Sequence, residues 1–129
     1  MSSTDPTLLD LIGLPAPASF QGIPLNRMES VGRTHVLMEH MGSGLCDFQA
    51  KPIGICVRSN QWKLVYVMPP PTAPGKGFVR ELYDLQNDPW ELKNIAGDGD
   101  TPSQAMELLQ TARQRVRQIY EQNNLPWHG

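Results

Sequence analysis

Ile53-Gly54-Ile55-Cys56-Val57-Arg58-Ser59-Asn60-Gln61-Trp62-Lys63-Leu64-Val65-Tyr66-Val67-Met68 is the stretch on which the fold turns. Ile53, Ile55 and Val57 alternate with Gly54, Cys56 and Arg58, the two-residue period of a half-buried strand. After the polar turn Ser59-Asn60-Gln61, Trp62, Leu64, Tyr66 and Met68 alternate with Lys63, Val65 and Val67. Two such runs predict an antiparallel hairpin. Pro69-Pro70-Pro71 stops the ladder, because proline has no N–H to donate, and a Pro/Gly-rich loop runs on to Gly77. Upstream, 34–39 is β-branched and apolar enough for a strand, and 41–51, with Gly42 and Gly44, reads as a loop. Downstream, 78–85 is the last strand candidate.

Helices flank these strands. Ala105, Leu108, Leu109, Ala112, Val116, Ile119 and Tyr120 recur at three- and four-residue steps and make one apolar stripe. Thr101-Pro102-Ser103-Gln104 has the form of a capping box ahead of that stripe. Arg113, Arg115 and Arg117 lie toward the end that favours positive charge, and Asn123, Asn124 and Pro126 close the helix. Asp88-Pro89-Trp90-Glu91 predicts one further helical turn, with Asp88 capping and Glu91 reaching back. Near the start, Asp5 can cap a short helix with Pro6 in its first position, and Gly13 can end it. Leu8, Leu9, Leu11 and Ile12 make that helix apolar on most sides, and two turns do not hold alone in water, so its burial is expected.

The expected fold is α+β: a small antiparallel sheet of three to four strands packed by a long C-terminal helix, with a short N-terminal helix. Within one domain over 1–129, the lead-in helix and linker take 1–33, the strands 34–85, a turn 86–100 and the long helix 101–123.

Bulk properties narrow the function. A chain of 129 residues with 40% apolar content can build one core. Its formal charge is −2 and its pI about 5.8, without the clustered cations that phosphate neutralisation needs, so nucleic acid is not an expected partner. No run of 18 apolar residues is present, so no membrane span is expected. Met1-Ser2-Ser3-Thr4-Asp5-Pro6 lacks the basic start and apolar stretch of a signal peptide; the compartment stays open, with the cytoplasm expected if the chain is complete. Cys46 and Cys56 are expected to be free thiols packed as small apolar side chains.

Three stretches carry a family resemblance. Glu81-Leu82-Tyr83-Asp84-Leu85-Gln86-Asn87-Asp88-Pro89-Trp90-Glu91-Leu92-Lys93-Asn94-Ile95-Ala96-Gly97-Asp98 resembles the "ELYDLxxDPxExxNLA" signature near the C-terminus of sulfatases. Pro6-Thr7-Leu8-Leu9-Asp10-Leu11-Ile12-Gly13-Leu14 resembles their "PTLLDLAGL" helix, and Val57-Arg58-Ser59-Asn60-Gln61-Trp62-Lys63-Leu64-Val65 their "vRtdryKLi" hairpin. The resemblance implies the alkaline-phosphatase superfamily and its small C-terminal subdomain, a four-stranded antiparallel sheet with a packed helix. For the parent enzyme it implies a divalent metal and a formylglycine nucleophile made from a Cys/Ser-x-Pro-x-Arg motif. Neither Cys46-Asp47-Phe48 nor Cys56-Val57-Arg58 has that form, and no serine here begins it. No catalytic residue, cofactor or metal site is therefore expected in this chain.

The remaining candidates are weighed against plainer roles. His35, Glu39 and His40 are the most ligand-like group, but a strand turns His35 and Glu39 one way and His40 the other. The resemblance implies that this strand end approaches an active-site rim, which makes Glu39 and His40 the candidate rim of a substrate cleft. Arg58 and Lys63 could hold an anion but read as solvated charges. Tyr83, Asp84, Asp88 and Asn94 read as architecture, with Asp88 capping, the Tyr83 hydroxyl bonded and Asn94 fixing a loop. Trp62, Trp90 and Trp127 are expected to pack.

The expected function is a non-catalytic C-terminal subdomain of a sulfuric-ester hydrolase, supporting a sulfatase catalytic domain and touching the cleft rim. The alternative is a stand-alone ligand-binding or oligomerisation module derived from a sulfatase. The apolar opening helix, where the catalytic domain does not cover it, should drive self-association, so a homodimer is the expectation for the isolated chain.

Overall fold

The computed structural model describes residues 4–20, 22–27, 32, 34–40 and 47–127. Met1–Thr34 and His35–Gly129 form two compact units.

In the first unit, α1 (Thr4–Leu11) starts one residue ahead of the expected cap Asp5. Gly13, at φ +75°, turns the chain left-handed, so that the Gly13 N–H reaches Asp10 O (3.2 Å) and the Leu14 N–H reaches Leu9 O (2.9 Å). That pair of bonds satisfies carbonyls the helix leaves open. Asp10 is held by Asn26 Nδ2 at 2.8 Å and by Arg27, whose Nη2 lies 2.5 Å away, beside the 3₁₀ turn Leu25–Arg27. Pro6 is fully buried, whereas Leu8, Leu11, Ile12 and Leu14 are exposed. The expected burial of the helix thus holds for Pro6 and in part for Leu9, and not for Leu8, Leu11 or Ile12.

The second unit is a four-stranded sheet in the order β1-β2-β3-β4, with every neighbour antiparallel. The strands are β1 (His35–His40), β2 (Ile53–Ser59), β3 (Trp62–Met68) and β4 (Phe78–Asp84), followed by the long helix α2 (Met106–Gln122). The hairpin β2–β3 pairs as its alternation requires, with Val57 opposite Leu64 and Ile55 opposite Tyr66. Ser59 Oγ accepts the N–H groups of Gln61 and Trp62 (3.3 and 3.0 Å), which closes the turn. The apolar residues of this hairpin meet Leu108, Leu109, Ala112, Val116, Ile119 and Tyr120 of α2 in one core. At the far end Asn124, at φ +52°, and the bond from Leu125 N–H to Tyr120 O (2.9 Å) close the helix, while Leu125 is buried in the core.

Three local expectations are corrected. The run 101–104 makes no side-chain cap; a 3₁₀ turn (Ser103–Ala105) leads directly into α2, because the backbone around Pro102 is extended. No helix continues from 88–91: the Glu91 N–H closes a single turn on Asp88 O (3.2 Å), and the chain then leaves it. Instead, the Asp88 carboxylate accepts the N–H groups of Leu92 (3.0 Å) and Lys93 (2.8 Å) across a loop in which Glu91 takes φ +55°. Trp90 is 82% exposed and does not pack, although Trp62 is buried and Trp127 sits edge-on to Tyr120 at 5.3 Å. In β4 the register slips opposite Val65/Tyr66, so Val79 and Leu82, three apart, both reach the core side where simple alternation has Arg80 and Leu82 share a face. Cys46 and the loop 41–46 lie outside the described residues.

The outer edge of β4 is covered by its own following loop. Asn94 Oδ1 accepts the N–H of Leu82 (3.0 Å), its Nδ2 donates to Arg80 O (3.1 Å), and Ile95 N–H donates to Leu82 O (3.0 Å). Satisfying those groups removes a strand edge that would otherwise invite another chain.

Candidate functional site

The charged side chains singled out in the sequence are divided between the two sheet faces. On the α2 side, Glu39 of β1 stands opposite Ile55, and its carboxylate is ion-paired and hydrogen-bonded to Arg115 of α2, which also donates to Gln118 Oε1 at 3.3 Å. The contact ties the edge strand β1 to the helix. His40, one residue on, turns to the opposite face, next to Gly54, and is exposed. The structure therefore does not bring Glu39 and His40 together side by side. His35 shares the Glu39 face at the other end of β1. Among the described residues, no three of His, Cys, Asp and Glu are placed to hold a metal ion.

On the face away from α2, Lys63 is the centre. Its Nζ lies 2.5 Å from Glu91 Oε2 and 5.6 Å from the centroid of the Tyr83 ring. The Tyr83 hydroxyl donates to Glu81 Oε2 at 3.5 Å. The hydrogen bond to Glu91 raises the Lys63 pKa, and desolvation followed by the Glu81 charge raises that of Tyr83. Cys56 lies on this face too, a free thiol whose pKa is raised by burial. A raised pKa makes a thiol a poorer nucleophile, the reverse of what covalent catalysis needs. The Lys63 cation is already neutralised, so the pair Arg58 and Lys63 is not a ready anion site. Hydrogen bonds to Leu92 and Lys93 hold Asp88 below the usual carboxylate range.

In the first unit an open cavity of about 480 Å³ is lined by Pro6, Asp10, Leu14, Pro15, Pro24 and Arg27, among others. Asn26 lowers the Asp10 pKa, with Arg27 adding to it. The carboxylate is spent on the ion pair that shapes the cavity wall.

Sequence reading missed three pairs: Asp10–Arg27, Glu39–Arg115 and Lys63–Glu91. Each links separate elements, beyond the reach of the three- and four-residue spacing rules that reveal pairs on one helix. For Lys63 and Glu91 a signal existed, since each stands in one of the quoted motif stretches.

Comparison with known proteins accounts for these motifs. No family model matches the chain. Arylsulfatase K from Bos taurus is 27% identical over 125 residues, covering 88% of this chain and 20% of that protein. The delta 4,5-hexuronate-2-O-sulfatase of Bacteroides thetaiotaomicron is 32% identical over 96 residues, covering 72% of this chain and 18% of that protein. The chain belongs to the sulfatases. Human arylsulfatase K adds a match of 28% over 102 residues, 70% of this chain and 17% of that protein. This sulfatase sequence therefore spans about one fifth of the length of the curated relatives it matches. Within it, the signature over 81–98 acts as architecture. Asn94 closes the β4 edge, Asp88 holds the loop, and Glu91 pins that loop to Lys63. No helix among the described residues is long and apolar enough to cross a membrane.

Proposed function

We propose that this chain is the non-catalytic C-terminal subdomain of a sulfuric-ester hydrolase, a folded support for a sulfatase catalytic domain. The observation that carries the reading is the combination of sulfatase identity with matches confined to about a fifth of each relative. The residues agree with it. Hydrolysis of a sulfate ester needs an activated nucleophile and positioned cations around the sulfuryl group. Three of the described charged side chains are instead committed to holding the sheet, helix and loop together: Glu39 by Arg115, Lys63 by Glu91, Asp88 by backbone N–H groups.

Of the two rim candidates, His40 retains the role more readily, because it is exposed at the end of β1 while the Glu39 carboxylate is engaged. In the parent enzyme, His40→Ala is expected to raise KM with little change in kcat. Unchanged KM removes His40 from the rim.

An immunoblot of source-cell extract with an antibody to this chain tests the main reading. A band several times heavier than 14.4 kDa agrees with it. A band at 14.4 kDa with no sulfatase co-purifying overturns it and leaves the stand-alone module in its place.

A further inference from the structure

The loop that joins β4 to α2 carries Gly97-Asp98-Gly99-Asp100, a run in neither helix nor strand whose residues are all exposed. Ahead of it Ile95 packs against the core, and beyond it Ala105 is buried, so the run is anchored at both ends.

The aspartates of this chain differ in what holds their carboxylates. Asp10 is held by Asn26 and Arg27, and Asp47 accepts the N–H groups of Gln49 and Ala50. Asp84 accepts those of Gln86 and Asn87, and Asp88 those of Leu92 and Lys93. Among the described residues, the Asp98 side chain makes neither a hydrogen bond nor an ion pair.

The residue that follows differs as well. Leu11, Phe48 and Leu85 follow Asp10, Asp47 and Asp84; Pro89, with no N–H, follows Asp88; the β-branched Thr101 follows Asp100. Asp98 alone is followed by glycine. A Cβ built on Gly99 would meet nothing within 4 Å, and its φ of +141° is a conformation that glycine holds readily and other residues do not. Its N–H donates no backbone hydrogen bond among the described residues.

A carboxyl that nothing holds, next to an amide nitrogen that is neither shielded nor bonded, is the pair that closes an imide ring. We infer that Asp98–Gly99 is a modification site, at which the folded protein isomerises spontaneously through a succinimide to isoaspartate. The Gly99 nitrogen attacks Asp98 Cγ, and the carboxyl hydroxyl leaves with the amide proton as water. Water then adds to either carbonyl of the imide. Opening at Cγ restores aspartate. Opening at the backbone carbonyl carbon runs the chain through the side chain and frees an α-carboxylate. Water is the only other reactant, and the net composition is unchanged.

The fold has room for the product. Isoaspartate adds one carbon to the backbone between Asp98 and Gly99, beyond the Asn94 and Ile95 contacts to β4 and ahead of buried Ala105. The nearest backbone bond, from Asp98 N–H to Ile95 O (3.3 Å), lies on the unaltered side.

The test ages the polypeptide as the source cells make it, folded and at neutral pH, in water enriched in heavy oxygen. Trypsin, applied in ordinary water, cuts after Lys93 and Arg113 and releases residues 94–113. A second chromatographic form of that peptide is expected, carrying one heavy oxygen. It should accept a methyl group from S-adenosylmethionine when an isoaspartate-directed carboxyl methyltransferase is added. Electron-transfer fragmentation should place the isomer at position 98. Asp98→Glu, whose larger ring closes more slowly, and Gly99→Ala, whose Cβ shields the nitrogen, should each lose the second form. Absence of that form from the aged folded protein overturns the inference. So does isomerisation at Asp100 in place of Asp98, a form that appears only after unfolding in urea, or one that persists undiminished in either variant. If a variant fails to fold, the unsubstituted protein still decides, because the oxygen label and the fragmentation locate the event within it.

Discussion

Lys63 and Glu91, 28 residues apart in the chain, meet at 2.5 Å on the sheet face opposite α2, and their contact fastens the signature loop to the central hairpin. Both side chains are mostly shielded, at 22% and 29% exposure, so the pair gains more than a fully solvated one.

Glu91→Gln is expected to cost about 1 kcal/mol, the scale of a partly shielded charge-assisted bond. Lys63→Met tests the coupling. In a double-mutant cycle the two losses should fall short of adding, because either one breaks the same contact. Full additivity in urea melts would show that the pair contributes nothing. The pH dependence has a fixed sign. The Lys63 pKa is raised by Glu91, so its contribution is complete below the ordinary lysine value of 10.5 and fades as pH rises through the higher folded value.

Asp88 behaves in the opposite sense. Its pKa is lowered by the Leu92 and Lys93 N–H groups. Its contribution is therefore complete above the ordinary value of 3.8 and is lost as pH falls through the lowered folded value. Asp88→Asn should be less stable than the parent at neutral pH, and the gap should close under acid. A gap that stays constant from pH 7 to pH 2 would remove the carboxylate from this role.

Asn94→Ala should cost roughly 1–2 kcal/mol, since the side chain serves Leu82 N–H, Ala96 N–H and Arg80 O together. Asn94→Asp keeps the acceptor but sets a carboxylate oxygen against Arg80 O, so the comparison belongs in acid, where the protonated group can donate again and its loss should be the smaller. Hydrogen exchange should locate the damage at the Leu82 amide. Equal losses for the two variants would show that the acceptor contributes little.

Gly77 is required by packing. A Cβ there would lie 1.9 Å from the Tyr66 hydroxyl and 2.4 Å from Cζ of the same ring. Tyr66 is buried in the core with Arg113 over its ring at 5.9 Å, so the ring has little room to give. Gly77→Ala should cost about 1–3 kcal/mol, as overpacking does. In a Tyr66→Leu background the same change should be nearly silent. A Gly77→Ala loss that persists in that background would contradict the steric cause.

Much of the architecture was legible because it obeys short periods. The two-residue alternation of 53–68 and the three-to-four-residue stripe of 105–120 each state which face is apolar, and both faces are buried against each other. Reading failed where polar groups had a choice of partner. Glu91 and Asp88 form a plausible helix start in sequence, yet Glu91 is drawn to Lys63 and Asp88 to the backbone beyond it. Glu39 was legible as an unusual charge on a strand and not as the partner of Arg115, because 76 residues separate them.

By itself, then, the sequence determined the order of elements, the α+β class and the sulfatase kinship, since periodicity, turn chemistry and motif identity are local properties of the chain. Only the tertiary structure decided the bulge in β4, the closure of its edge by Asn94, and which carboxylate meets which cation. Such pairings depend on segments brought together by burial of the core, and the free energy that selects among them comes from desolvation and geometry that no local pattern records.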